Sequence, residues 1–76
     1  MSKYLLKAET KNMGTLYYMN VICVTEQPEC AMFYRTEDAA KKDIQYFKNL
    51  VRDDSVEIQI VDMDTEIANY VEHDVY

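Results

Sequence analysis

Residues 36–51 read TEDAAKKDIQYFKNLV, a segment that combines a helix start with a helical apolar stripe. Thr36 is a favoured N-cap, and Glu37 and Asp38 then place negative charge in the first turn, where the helix dipole favours it. Apolar residues recur at helical spacing from Glu37 to Val51; they are Ala40, Ile44, Phe47, Leu50 and Val51. The polar side is formed by Lys41, Lys42, Gln45, Lys48 and Asn49. The pattern predicts one helix over 37–51 that buries its stripe against a sheet.

The sequence before this helix predicts two strands joined by a tight turn. Tyr4 to Thr10 alternates between two faces, as a half-buried strand does. Gly14 closes the segment 11–14, where a short hairpin loop requires a residue at positive φ. Residues 16–24 read LYYMNVICV, apolar or aromatic except at Asn20, and form the predicted best-buried strand. Both of its faces are apolar, so we expect the second face to be covered by the C-terminal segment or by a partner, unless its tyrosines stay half-exposed.

The remaining segments carry shorter patterns. Residues 25–29 break the strand, and Ala31–Arg35 forms either a short edge strand or a loop that places Phe33 against the helix. After a turn at 53–55, residues 56–63 alternate as a third main strand. Its inward residues are Val56, Ile58 and Ile60, and its outward residues are Glu57, Gln59 and Val61. Residues 64–76 predict a short helix or an irregular tail laid on the sheet, with Thr65 as the helix cap.

The composition predicts one folded domain over residues 1–76, because 49% of the residues are apolar and only one Gly and one Pro occur. The element order is β-β-α-β, or β-β-β-α-β if Ala31–Arg35 adds its strand. The predicted fold class is therefore α+β: one helix on one face of a small, mostly antiparallel sheet, then a short C-terminal helix or tail. This class hosts many functions.

Charge is distributed unevenly along the chain, whose formal net charge is −6. Residues 53–76 hold eight acids and no Lys or Arg, whereas residues 1–52 hold six acids and all eight bases. Such asymmetry indicates an electrostatic partner, and the acidity argues against direct nucleic-acid binding. Before Lys7 the first apolar stretch is three residues long, too short for an export signal or a membrane anchor. We therefore expect a cytoplasmic protein that does not contact membranes.

Few side chains are suited to catalysis or metal binding. Cys23 and Cys30 are expected to be free thiols, Cys23 packed as a small apolar residue, and His73 is the only histidine. These three lack the spacing of a zinc site, and neither thiol has a neighbouring base. Asp62 and Asp64, placed about 6.6 Å apart on one side of a strand, lack the glycine and spacing of a calcium loop. We expect no cofactor, no metal and no enzymatic activity.

The acidic C-terminal third is the candidate partner-binding region. Two tyrosines lie among its acids, and tyrosine is a favoured interface anchor. The predicted residues are Asp53, Asp54, Asp62, Asp64, Glu66, Tyr70, Glu72, Asp74 and Tyr76. If its eight acids share one exposed face, their density of about one per 3 Å approaches that of a single DNA strand. The alternative is that these acids only keep the protein soluble.

In size, in acidity and in the run FYRTEDAA (33–40), which leads from a hairpin into an amphipathic helix, the chain resembles small orphan proteins of bacteriophages. Such proteins bind host machinery, and include inhibitors of restriction, of CRISPR effectors and of RNA polymerase. The resemblance implies an inhibitor or modulator of a host nucleic-acid-handling or defence protein that has a basic surface. The alternative is an antitoxin-like partner or a homodimer that pairs through residues 16–24.

Overall fold

The computed structural model describes residues 3–52 and 55–74, with side chains through residue 69. The strands are β1 (Tyr4–Thr10), β2 (Gly14–Asn20), β3 (Cys23–Thr25) and β4 (Ile58–Asp62). The helices are α1 (Glu37–Lys42), α2 (Ile44–Val51) and α3 (Met63–Asp74), and a short 3₁₀ helix spans Pro28–Cys30. All four strands form one antiparallel sheet in the order β3-β2-β1-β4. The predicted α+β class is confirmed, and so is a C-terminal helix.

The first hairpin forms as predicted. Gly14 adopts φ +72°, a conformation that a side chain disfavours, directly after the three-residue turn. The Thr10 hydroxyl ties the turn together, because it donates to the Gly14 carbonyl at 2.8 Å and accepts from the Met13 N–H at 2.9 Å. These bonds fix the register in which Lys7 lies opposite Tyr17 and Ala8 opposite Leu16.

The prediction of one continuous strand over 16–24 is wrong. The Asn20 side-chain oxygen accepts a hydrogen bond from the Ile22 N–H at 2.9 Å, which turns the chain and starts β3 at Cys23. Val21 and Ile22 are thereby 60% and 77% exposed. The expectation of half-exposed tyrosines is also wrong for this strand, because Tyr17 and Tyr18 are buried on its opposite faces.

Residues 31–35 differ from both predicted forms. Tyr34, not Phe33, is the buried aromatic, and Phe33 is 47% exposed. Tyr34 makes a single antiparallel bridge with Tyr4, in which each N–H donates to the other's carbonyl at 2.8 Å. The Met32 N–H donates to the Tyr18 carbonyl at 3.0 Å. Residues 32–34 therefore fill the space where the end of β2 separates from the start of β1.

The helical layer is interrupted at Asp43, where one helix over 37–51 was predicted. Thr36 caps α1 as expected, since its hydroxyl oxygen accepts from the Ala39 N–H at 3.1 Å. The Asp43 carboxylate accepts a 2.7 Å hydrogen bond from the Tyr34 hydroxyl, and its backbone leaves the helical conformation. The predicted stripe nevertheless packs as expected: Ala40, Phe47 and Val51 are buried with Leu6, Ala8, Leu16 and Tyr18.

Helix α3 covers the other face of the sheet. Leu5, Tyr17 and Ala31 are buried there, with Val61 and Met63 packed against them. The fold therefore has three layers, with α1 and α2 on one face and α3 with the 3₁₀ helix on the other. The second face of the sheet was expected to be covered by the C-terminal segment or by a partner, and the structure shows the C-terminal segment there. Within residues 3–52 and 55–74, no helix is both long enough and apolar enough to cross a membrane.

Candidate functional site

The candidate site begins where β4 passes directly into α3. The Asp62 carboxylate accepts hydrogen bonds from the Thr65 N–H and from the Thr65 hydroxyl, both at 3.0 Å. Asp62 is thus the N-cap of α3, and the prediction that Thr65 caps the helix is wrong. The Met63 N–H donates to the Lys3 carbonyl at 2.9 Å, which anchors the first turn to the start of β1. Asp62 and Asp64 consequently do not share one side of a strand, because Asp64 lies in the helix.

Glu66 points into the domain and not toward solvent. Its carboxylate lies 2.9 Å from the Lys7 Nζ and accepts a 2.9 Å hydrogen bond from the Tyr17 hydroxyl. Lys7 and Tyr17 are opposite each other on β1 and β2, so the two strands present one ammonium and one hydroxyl to the same helix residue. The expectation that Glu66 belongs to an exposed acidic patch is wrong, because Glu66 is 8% exposed.

The surroundings of Tyr17 keep its hydroxyl protonated. Burial raises the pKa of Tyr17 well above its usual value, and the hydrogen bond to Glu66 and the negative charges of Glu66 and Glu9 raise it further. Lys7 also lies 3.7 Å from Glu9. The three groups Lys7, Glu66 and Tyr17, here called the α3 anchor, therefore satisfy one another and are not free for a ligand.

The other predicted site residues fall into three groups. Asp64 is exposed in the first turn of α3, and Asp62 is half-buried at the cap. The backbone of α3 includes Tyr70, Glu72 and Asp74, whose side chains lie outside the described part of the structure. Asp53, Asp54 and Tyr76 lie outside the described residues altogether. Of the nine predicted residues, Asp64 is the one acid that the structure shows exposed in α3.

Three exposed basic side chains lie in the opposite layer. Lys41, Lys42 and Lys48 are exposed on α1 and α2, across the sheet from α3. On the α3 side, Lys7 is engaged by Glu66, and the Lys3 Nζ lies 4.7 Å from the centroid of the Phe33 ring. The lysines of α1 and α2 therefore do not pair with Asp64, the exposed acid described in α3, since the sheet lies between them.

Four exposed apolar side chains at the β2 end of the sheet were not among the predicted site residues. They are Val21, Ile22, Met32 and Phe33. Val21 and Ile22 follow β2 directly, and Met32 bonds to β2 at Tyr18. The sequence held one signal of this exposed group: Val21 and Ile22 directly follow Asn20, and β-branched residues are uncommon in tight turns. The signal was missed because the whole run 16–24 reads as one strand.

The described residues contain no cluster suited to metal chemistry. No three His, Cys, Asp or Glu side chains between residues 3 and 52 or 55 and 69 lie close enough to hold a metal ion. Cys23 and Cys30 are both exposed and not bonded to each other. The expectation that Cys23 packs as a small apolar residue is wrong, because it begins β3 at the edge of the sheet.

The comparisons with known proteins return no relative. No family model matches the chain, and neither a curated protein nor a solved structure matches it.

Proposed function

We propose that this protein is a non-catalytic binding protein that docks its α3 side on a positively charged surface of another protein. The partner class is a nucleic-acid-handling or defence protein of a bacterial host cell, in the cytoplasm, whose action the bound protein inhibits or modulates. The observation that carries the proposal is the difference in charge between the two outer layers: α3 contains four acids and no Lys or Arg, while residues 37–51 of the opposite layer hold three acids and three lysines.

The geometry of the α3 anchor supports this difference. The Lys7 Nζ lies 2.9 Å from the buried carboxylate of Glu66, so that its charge is paired within the domain. The acid in the first turn, Asp64, is exposed, and no base among the described residues pairs with it. Helix α3 has an exposed acid and no Lys or Arg of its own, and the exposed base described beside its first turn is Lys3. A helix that carries acids and no bases speeds association with a basic surface and disfavours acidic ones.

Charge density limits how closely α3 resembles DNA. With Glu66 turned inward, the acids left to α3 are Asp64, Glu72 and Asp74. The eleven residues from Asp64 to Asp74 span about 15 Å of helix, so these three acids average about one charge per 5 Å. A single DNA strand carries about one per 3.4 Å. Partial mimicry therefore requires acids from outside α3, and simple charge complementarity is the mode that we propose.

The test begins with capture of a partner from a bacterial lysate by the immobilised protein and its identification by mass spectrometry. Glu57 directly precedes β4, and strand alternation places it on the same face as Val61, which packs on the α3 side. The double variant Glu57→Gln with Asp64→Asn removes two exposed acids of this side and no described hydrogen bond. We expect it to lower affinity for that partner by about 3- to 30-fold and to reduce the salt dependence of binding. The matched control is Glu26→Gln with Asp38→Asn, which removes two exposed acids elsewhere.

Docking through the α3 side would be contradicted if the Glu57 and Asp64 variant bound the partner with unchanged affinity. It would also be contradicted if both double variants lowered the affinity equally. Insensitivity of binding to salt between low and physiological ionic strength would contradict it as well. The alternative, a homodimer that pairs through residues 16–24, is not favoured, because these residues are not one continuous strand. Leu16, Tyr17 and Tyr18 are already buried within the domain, and the exposed Val21 and Ile22 lie in a turn.

A further inference from the structure

Strand β4 is an open edge of the sheet, and its register shows which of its backbone groups face outward. Lys3 and Met63 are a hydrogen-bonded pair, because the Met63 N–H donates to the Lys3 carbonyl at 2.9 Å. Bonded and non-bonded pairs alternate along antiparallel strands, so Val61 and Gln59 also bond to β1. The intervening Tyr4 agrees with this pattern, since its N–H and carbonyl both bond to Tyr34 on the other side of β1. The even positions of β4 therefore direct their N–H and carbonyl groups away from the sheet.

At two residues of β4, the outward N–H and carbonyl groups have no partner in the described part of the chain. Ile58 and Ile60 each direct one N–H and one carbonyl to the open edge, where no other described strand lies. At the third even position, Asp62 is the N-cap of α3, and an N-cap carbonyl accepts the first hydrogen bond of its helix. The open edge thus presents two donors and two acceptors, alternating over three residues.

The two edges of the sheet are protected to different degrees. β3 is three residues long, and its pairing with β2 is irregular between Tyr18 and Asn20, both of which discourage a further strand. β4 is five residues long, reads IQIVD, and contains no Lys, Arg or Pro. Its residues Ile58, Ile60 and Val61 are only half-buried. An unprotected edge with apolar side chains on both faces is suited to strand addition.

We propose that a second copy of this chain pairs with β4, antiparallel and about a two-fold axis at Gln59. This register places Ile58 of each copy opposite Ile60 of the other, so that the four free groups of each edge form four hydrogen bonds between the copies. Gln59 faces Gln59 across the axis, and Glu57 faces Val61, so that no two acids are opposite each other. The two sheets become one continuous sheet of eight strands.

A second copy suits this edge because the free groups lie in self-complementary positions. A register centred on Ile60 would instead pair Ile58 with Asp62, whose carbonyl already bonds within α3, and would lose hydrogen bonds between the copies.

The contact area of two five-residue strands is small, below about 1,200 Å², so the dimer forms at micromolar or higher concentration. Each copy carries a formal charge of −6, so salt strengthens the dimer. This salt response is opposite to that of the docking proposed for α3, and the two proposals can fail separately.

A cysteine at the axis tests the register directly. Residues at a non-hydrogen-bonded antiparallel pair have Cα atoms about 4.5 Å apart, which is within the range that a disulfide spans. In a background with Cys23→Ser and Cys30→Ser, Gln59→Cys is expected to form a covalent dimer under mild oxidation at least tenfold faster than Glu57→Cys. Glu57→Cys is the matched control, because position 57 is exposed on the same strand face but lies opposite residue 61 of the second copy. Equal rates for the two variants, or no dimer from Gln59→Cys, overturn the proposal.

Sedimentation equilibrium of the unaltered protein provides the second measurement. We expect the dimer fraction to rise with protein concentration and to rise again between 0.05 and about 0.5 M NaCl, as screening removes the repulsion. Ile58→Pro removes an outward N–H and no bond to β1, so it is expected to abolish the dimer while circular dichroism stays that of the folded chain. A monomer at all concentrations and salt conditions, or a dimer that salt weakens, overturns the proposal even if Ile58→Pro fails to fold.

Discussion

Glu66 is the residue on which the position of α3 depends. It brings a negative charge to a sheet face whose other buried residues are apolar or aromatic, and both of its partners come from the sheet. A buried ion pair adds little net stability compared with an apolar pair of the same volume, but removing one partner leaves an uncompensated charge. The main effect of the α3 anchor is therefore to fix where the helix lies on the sheet. Its contribution to the free energy of unfolding is smaller.

The first prediction concerns the Lys7–Glu66 pair. Lys7→Met leaves the Glu66 carboxylate buried with only the Tyr17 hydroxyl, and is expected to lower the free energy of unfolding by about 2–4 kcal/mol. The double variant Lys7→Met with Glu66→Met removes both charges and is expected to recover most of that loss. Lys11→Met, at an exposed turn position, is the control. Urea unfolding measures all three, and a loss below about 0.5 kcal/mol for Lys7→Met would show that the pair is not buried as described.

Sequence patterns alone do not identify such a pair. Residues 64–76 show helical spacing of Ile67, Ala68, Tyr70 and Val71, which suggests an apolar inner side, yet Ala68 is exposed and Glu66 is buried. Lys7, which pairs with Glu66, is 59 positions earlier in the chain, so no local sequence period connects the two residues. The available signal was Lys7 itself, a lysine that strand alternation places on the same face as Leu5.

At the scale of elements, the end of β4 and the start of α3 share Asp62. The second prediction is that Asp62→Ala lowers the free energy of unfolding by about 1 kcal/mol, as the loss of an N-cap does. Asp62→Asn keeps an acceptor and is expected to cost less than half of that. Thr65→Ala, which removes an exposed hydroxyl and leaves the Thr65 N–H bonded, is expected to cost less than Asp62→Ala. Thermal unfolding checks the order, and a larger loss from Thr65→Ala would restore Thr65 as the cap.

The elements that sequence predicted correctly are those with a complete local pattern. β1, the Gly14 turn, the Thr36 cap and the apolar stripe of the helix each depend on residues within one segment. The breaks at Asn20 and Asp43 were missed for different reasons. Asn20 turns the chain because its side chain accepts a hydrogen bond from the Ile22 N–H. One polar residue within an apolar run was only a weak indication of this turn. Asp43 interrupts the helix while its carboxylate bonds to Tyr34, a tertiary contact that no helical pattern contains.

At the scale of the whole molecule, the sheet is buried on both faces. Adjacent residues in one strand serve different layers: Leu5 and Tyr17 face α3, while Leu6 and Tyr18 face α1 and α2. This explains why residues 16–19 of the predicted central strand are all apolar or aromatic. It also explains how a chain with seven tyrosines and no tryptophan fills two small cores, because the buried rings of Tyr17 and Tyr34 each direct a hydroxyl to a carboxylate.

The final prediction concerns alkaline stability, because both of these hydroxyls must stay protonated in the folded chain. Burial raises the pKa of Tyr17 and of Tyr34, and hydrogen bonds to Glu66 and Asp43 raise them further. In the unfolded chain a tyrosine ionises near pH 10. Since the folded pKa lies above the unfolded one, this stabilisation is complete below pH 10 and is lost as the pH rises above it, by about 1.4 kcal/mol per pH unit for each tyrosine.

Urea unfolding between pH 7 and 12 measures this loss, and we expect the free energy of unfolding to fall steeply only above about pH 10. Tyr17→Phe is expected to reduce the slope in that range by about 1.4 kcal/mol per pH unit, whatever its effect on stability at pH 7. Tyr46→Phe, at a half-exposed position of α2, is the control and is expected to leave the slope nearly unchanged. Equal slopes for the unaltered protein and Tyr17→Phe would mean that α3 does not hold the Tyr17 hydroxyl away from water, since a solvated tyrosine ionises alike in both states.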